Sequence, residues 1–224
     1  MMRRVLLAAL AAGLAAGVLI TALQAFTTTP LILAAEVYES AGEVHGHAHD
    51  GDHAHDGDGT LSGSDVDRLV STLLANVVTA VGFALLLVAG FALSGRHVDE
   101  RQGLLWGLAG FAVFALAPAA GLPPELPGTM AAELADRQAW WLFAAGGAAV
   151  GLWLIVFGRN RFRVPLGLAA ALLPHVVGAP APEAMGGSAP PELAAEFAAL
   201  AIAVQAVFWA TLGCIAGGLY RRLG

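Results

Sequence analysis

Apolar residues in this chain gather into six blocks separated by polar segments: about Val5–Phe26, Leu69–Leu93, Gly103–Leu122, Gln138–Phe157, Val164–Gly178 and Phe197–Leu219. Five of them reach the ~20 residues that an α-helix needs to cross a bilayer. The pattern predicts an all-α polytopic membrane bundle of about six transmembrane helices, built as a single integral membrane domain over 1–224. The fifth block is short, begins at Val164-Pro165 and is interrupted by Pro174, so a broken or tilted helix is expected there. Polar positions inside the blocks are amides and hydroxyls: Thr21, Gln24, Thr72, Asn76, Thr79, Gln205 and Thr211. Hydrogen bonds between helices are their first reading. Asn76 and Gln205 are also the oxygens best placed to serve a partly dehydrated cation.

Small residues recur at four-residue spacing in Gly13/Gly17, Gly103/Gly107, Gly147/Gly151 and Gly213/Gly217, a spacing that lets helix backbones approach closely. The odd-numbered blocks each carry Gly-Leu (Gly13-Leu14, Gly107-Leu108, Gly167-Leu168). Similar acidic stretches precede the even ones, at Asp65-Val66-Asp67-Arg68, Glu133-Leu134-Ala135-Asp136-Arg137 and Glu192-Leu193-Ala194-Ala195-Glu196. Three hairpins arranged as a parallel pseudo-repeat would give this pattern, as would simple convergence of Ala/Leu-rich spans.

Composition sharpens the membrane reading. The chain is 58% hydrophobic and 12% charged, with mean hydropathy +0.72, whereas a soluble domain carries about 25% charged residues. The charges are sorted by segment. Arg3, Arg4, Arg96, Arg101, Arg159, Arg161, Arg163, Arg221 and Arg222 occupy one alternating set of connections, with only Asp99 and Glu100 as acids. The other set holds the remaining acids and just Arg68 and Arg137. Because Arg stays on the cytoplasmic side, both termini are expected in the cytoplasm. Met-Met-Arg-Arg before an apolar run could also open a signal peptide cut near Leu33-Ala34-Ala35, but the run is longer than the usual ~7–15-residue core, so an uncleaved span is favoured. The lone cysteine, Cys214, lies within a block and reads as a packing residue.

The segment 40–64 is then extracytoplasmic, and it contains the chain's most distinctive pattern. His47-Ala48-His49-Asp50-Gly51-Asp52 is repeated as His53-Ala54-His55-Asp56-Gly57-Asp58, with His45 ahead of it. Five of the seven histidines are here. Imidazole nitrogen and carboxylate oxygen are ligands for borderline divalent metals, and Ala and Gly spacers leave the backbone free to wrap an ion. His45, His47, His49, His53 and His55, with Asp50, Asp52, Asp56 and Asp58, are expected to collect several ions loosely. A solvated linker or a pH sensor is the plainer alternative. Affinity should rise from Co²⁺ through Ni²⁺ to Cu²⁺, so this loop by itself does not select among them for a weaker binder.

Other acids stand near the outer ends of the blocks: Glu36, Glu39, Asp65, Asp67, Glu133, Asp136 and Glu196. Most precede a helix, where capping and the dipole explain them. Glu36 and Glu39 instead follow one, where the dipole disfavours them, and so need another reason. Together with His175, in Pro174-His175-Val176-Val177-Gly178, and Glu196, they are the candidate ligands of a metal-transfer site, Glu36, Glu39 and His175 first. An interfacial histidine bonded to a carbonyl is the plainer reading of His175. Trp140, Trp141, Tyr38 and Tyr220 fit an interfacial aromatic belt.

Several stretches resemble the CbtA family: Arg3-Arg4-Val5-Leu6-Leu7-Ala8-Ala9-Leu10; Pro30-Leu31-Ile32-Leu33-Ala34-Ala35-Glu36-Val37-Tyr38-Glu39 before a His-rich loop; and Gly103-Leu104-Leu105-Trp106-Gly107-Leu108-Ala109-Gly110-Phe111. So do Leu122-Pro123-Pro124-Glu125-Leu126-Pro127-Gly128, Arg137-Gln138-Ala139-Trp140-Trp141 and Pro174-His175 with Gly178-Ala179-Pro180. The resemblance covers nearly the whole chain in order. It implies a multi-pass subunit of a cobalt transporter in the bacterial inner membrane, linked to cobalamin synthesis and working with CbtB, a small single-span subunit that also bears histidines.

The expectation is therefore a membrane subunit that captures a divalent transition metal outside and passes it inward. The metal is substrate rather than prosthetic group, Co²⁺ first, with Ni²⁺ or Zn²⁺ as alternatives. Homo-oligomers are compatible with this reading, and no nucleic-acid partner is expected. A non-transporting receptor that presents metal to a partner is the alternative. An enzyme is not expected, because a catalytic metal needs a rigid site of about three ligands with an open position. No G-x-x-x-x-G-K-[ST] loop is present, so any ATP use falls to another subunit.

Overall fold

The computed structural model describes residues 2–43, 63–182, 184 and 186–223. The His/Asp repeat, and with it His45, His47, His49, Asp50, Asp52, His53, His55, Asp56 and Asp58, lies outside the described residues. The elements are helical: α1 Met2–Phe26, α2 Thr28–Glu43, α3 Gly63–Ser94, α4 Glu100–Phe111, α5 Ala117–Ala119, α6 Leu134–Phe157, α7 Arg163–Val177 and α8 Pro191–Arg222. A π-helical stretch, Ala112–Leu116, joins α4 to α5. Thr129 and Gly187 form an isolated antiparallel bridge.

Local chemistry explains several boundaries. Pro30 has no N–H, and its ring would collide with the Phe26 carbonyl four residues back. The first helix accordingly stops at Phe26, and Thr27 turns, its N–H donating to Gln24 O at 3.2 Å. Asp99 caps α4, accepting from Gln102 N at 2.8 Å. That backbone bond, aided by the nearby Arg221, holds the Asp99 carboxyl below its usual range. Pro118 acts on the π turn in the same way as Pro30 acts on α1. It would meet the Phe114 carbonyl in a regular helix, and the wider turn relieves the conflict.

Among the described residues, five helical stretches are long and apolar enough to cross a membrane: Arg3–Phe26, Val66–Ser94, Glu100–Ala119, Leu134–Phe157 and Pro191–Arg222. The sixth expected span is the 15-residue α7, about 22 Å of helix against ~30 Å of hydrocarbon. Pro174 lies inside it, and it ends at Gly178, whose φ is 91°. Large apolar side chains such as Leu74, Leu142 and Trp153 are more than half exposed, surface that lipid rather than water satisfies.

The main packed pairs are α1 with α3, α4 with α8, α6 with α7, and α1 with α8. The three hairpins expected from the sequence pattern do not pack as equivalent units. The third is opened, because α7 lies along α6 while α8 lies along α4 and α1. The glycines at four-residue spacing sit at these seams. A Cβ at Gly13 would stand 2.5 Å from Val81 Cα, and one at Gly147 2.6 Å from Ala170 O. Ala8, Ala12 and Ala16 present a small-residue stripe to a core that also holds Ala80, Ala84, Val88 and Phe91 from α3, and Phe208, Trp209 and Leu212 from α8.

The arginine-rich connections share one end of the bundle. Arg4 Nε donates to Tyr220 O at 2.7 Å and its guanidinium stacks on the Tyr220 ring. Arg221 pairs with Glu100 at 2.7 Å, and Arg96 covers Phe157. At the opposite, acidic end, Ala35 of α2, Leu126 and Phe197 of α8 form a small separate core.

Candidate functional site

At the acidic end, Glu36 is engaged. Arg68, at the start of α3, donates to both of its oxygens at 2.9 and 3.3 Å. A fork of this kind fits the planar carboxylate. Both side chains are about half exposed, so the pair adds little stability; Glu36 lies midway along α2 rather than at a helix C-terminus, so the dipole conflict expected from the sequence does not arise. Arg137, the other arginine among the acids, pairs with Glu125 at 2.8 Å. Each exception to the charge sorting thus has a carboxylate beside it. The sequence hint was the exception itself; the partners, 32 and 12 residues away, required the fold.

Glu39 is exposed and its carboxyl carbon lies close to Gly128, where a Cβ would stand 3.6 Å from it. His175 is half-buried and meets the Trp140 ring edge-on at 5.7 Å between centroids. The Trp140 indole Nε1 is itself buried without a hydrogen-bond acceptor among the described residues. Glu133, Asp136 and Glu196 are exposed. Among the described residues, no group of three or more His, Cys, Asp or Glu side chains is arranged to hold an ion. Glu36, Glu39 and His175 therefore do not form such a group together, and Glu36 is engaged by Arg68.

The polar residues inside the membrane divide in two. Asn76 Nδ2 donates to Thr21 Oγ1 at 3.0 Å and to Gln24 Oε1 at 2.6 Å, tying α3 to α1. This is the interhelical role expected of such groups. Asn76→Leu should lower stability in detergent by about 1 kcal/mol, the usual scale of such bonds in membranes. Thermal unfolding of the purified chain measures it, and an unchanged midpoint would mean that these bonds contribute nothing.

Gln205 instead faces a cavity of about 650 Å³, which Glu125, Arg137, Gln138, Trp141 and Trp209 also line. A second cavity of about 530 Å³ lies toward the arginine-rich end, with Arg96 and Gln102 among its walls. Phe83, Phe114 and Trp209 border both. Their rings pack together, with centroids 4.7 Å apart for Phe83–Trp209, 5.3 Å for Phe83–Phe114 and 5.5 Å for Phe114–Trp209. Sequence reasoning found Gln205 but missed Glu125 and the aromatic layer, since ordinary lipid-facing aromatics look the same in a sequence.

A family model described as probable cobalt transporter subunit (CbtA) matches residues 2–221. The chain belongs to the CbtA family. The match runs from the start of α1 into the last turn of α8, so every membrane helix of this bundle belongs to the family architecture. The protein is a multi-pass membrane protein of a transporter-subunit family. No curated protein and no solved structure matches the chain.

Proposed function

We propose that this chain is the membrane subunit of a divalent transition-metal uptake system, cobalt first and nickel or zinc as alternatives. The family match over residues 2–221 carries the reading. The charge sorting supports an orientation with both termini in the cytoplasm and the His/Asp segment outside, in a bacterial inner membrane. The loop captures metal. Glu36, Glu39 and His175 then supply ligands at the outer helix ends, with Arg68 holding Glu36 until a cation competes for it. A CbtB-type single-span subunit completes the system. The family's description as a subunit supports the need for a partner.

Uptake of radioactive cobalt, with nickel as competitor, tests this in cells expressing the chain with and without that partner. The complete pair should accumulate cobalt. A Glu36→Gln/His175→Ala version should lose about tenfold or more, the scale on which removing a metal-site group weakens affinity. Full uptake by the double variant would remove these residues from the path. No uptake in any combination, despite membrane insertion and metal binding, would favour a receptor that presents metal without moving it.

A further inference from the structure

The two cavities, each with a rim open toward lipid at Leu142 or Trp153, lie on opposite sides of one aromatic layer. The first has Glu125, Arg137 and Gln138 toward the acidic end and Gln205 deeper on α8. The second opens among Arg96 and Gln102 toward the arginine-rich end. Between them Trp209 is 1% exposed and lies parallel to Phe114, their planes 7° apart. Phe83 closes the third side. Gly110 lets the Trp209 ring lie flat on α4, since a Cβ there would overlap it. Three rings in mutual contact offer no lone-pair ligand with which a hydrated cation could exchange its water, since the Trp209 indole N–H only donates.

We infer that the two cavities are the halves of one translocation path, and that Phe83, Phe114 and Trp209 form its closed hydrophobic gate. The inference rests on the transport reading above and extends it by naming the path. An apolar constriction of this kind stops ions by excluding water. Phe114 stands in the middle of the π stretch Ala112–Leu116, and single π turns are frequent at functional sites. Because Pro118 keeps this turn from closing to regular helix, opening takes a change of the Phe114 side-chain rotamer, a turn of about 120°. That movement would swing Phe114 out of the layer and join the cavities. Trp209, fixed between Gly110 and Phe83, would be the stationary jamb. Glu125, Gln138 and Gln205 would be the oxygen donors that receive a divalent cation on the outer side.

Thiol accessibility tests the gate without any metal. Cys214 is the chain's one cysteine, so Cys214→Ser gives a clean background. Single cysteines are introduced by Ala119→Cys in the first cavity and Ala109→Cys in the second. Intact cells are treated with a membrane-impermeant methanethiosulfonate reagent, and inverted vesicles are treated in parallel. From outside, Ala119→Cys should react and Ala109→Cys should not; inverted vesicles should show the reverse. Adding Phe114→Ala, or Phe83→Ala as a second opening variant, should raise the reaction of Ala109→Cys from outside to the level of Ala119→Cys. Reaction of Ala109→Cys and Ala119→Cys from the same side with the rings intact would overturn the gate, as would an unreactive Ala119→Cys from both sides. Failure of both ring variants to admit the reagent, although they fold and insert, would overturn it too. A swapped pattern, with Ala109→Cys reacting only from outside, would keep the gate and overturn the orientation. Gated accessibility in a chain that never accumulates cobalt would leave the path standing and reject the transport reading's metal.

Discussion

Gly213→Leu is expected to destroy the α4–α8 seam and with it the folded bundle. Gly213 and Gly217 on α8 interlock with Gly103 and Gly107 on α4, so that the two backbones touch. A Cβ at Gly213 would overlap Gly103 O and stand 2.7 Å from Gly107 Cα. These neighbours are backbone atoms, so no side chain is available to swing aside. Overpacking commonly costs 1–3 kcal/mol, and with backbone on both sides the loss should reach about 3 kcal/mol or more, a large share of a marginal total. Lipid tails are as apolar as leucine, so burial gives helices no drive to associate and close packing has to supply it. Losing this contact would also unseat Trp209, which lies one turn earlier on α8. Gel filtration and thermal unfolding in detergent should show aggregated or early-melting protein. Gly82→Leu is the control, because a Cβ there meets nothing within 4 Å, and it should stay within about 0.5 kcal/mol of the parent. Equal behaviour of the two variants would mean that α4 and α8 do not meet as described.

Deleting residues 45–58 should raise the cobalt concentration needed for half-maximal uptake by roughly tenfold or more, by removing a tethered collector, while maximal uptake survives. Five imidazoles and four carboxylates within fourteen residues hold ions near the mouth rather than at a selective site. The intact chain should bind several metal ions per molecule and release most of them below about pH 6. Imidazole is neutral and able to ligate above its ordinary pKa of ~6.5 and is protonated below it. Equilibrium dialysis at several pH values, beside uptake at limiting and saturating cobalt, measures both. Unchanged uptake at limiting metal after the deletion would reduce the repeat to a linker.

Much of the fold was readable before any coordinates. The first span's end at Phe26 was legible because the apolar block stops there, and Pro30, through its missing N–H, sets the same boundary in the structure. The glycine pairs were recognisable as seams, because only close backbone approach gives a four-residue spacing of glycines much use in a membrane. Which seam meets which was not readable. The Gly103/Gly107 face could have met any of the others, and the hairpin pattern pointed to the wrong pairing for α7. The candidate site divides the same way. That Arg68 and Arg137 were anomalous on the acidic side was plain, but Glu36 and Glu125 as their partners were not.

The sequence by itself determined that this is a helical membrane protein, that its charges are sorted between two ends, and that a His/Asp repeat sits in the acidic set. Those properties follow from composition counted along the chain, and bilayer thickness and charge asymmetry act on composition. Only the tertiary structure decided that α8 rather than α7 faces α4, that Glu36 is held by Arg68, and that Phe83, Phe114 and Trp209 meet between two cavities. Contacts of that kind join residues many turns apart. They are selected by the fit of backbone against backbone, which no local pattern of polar and apolar residues encodes.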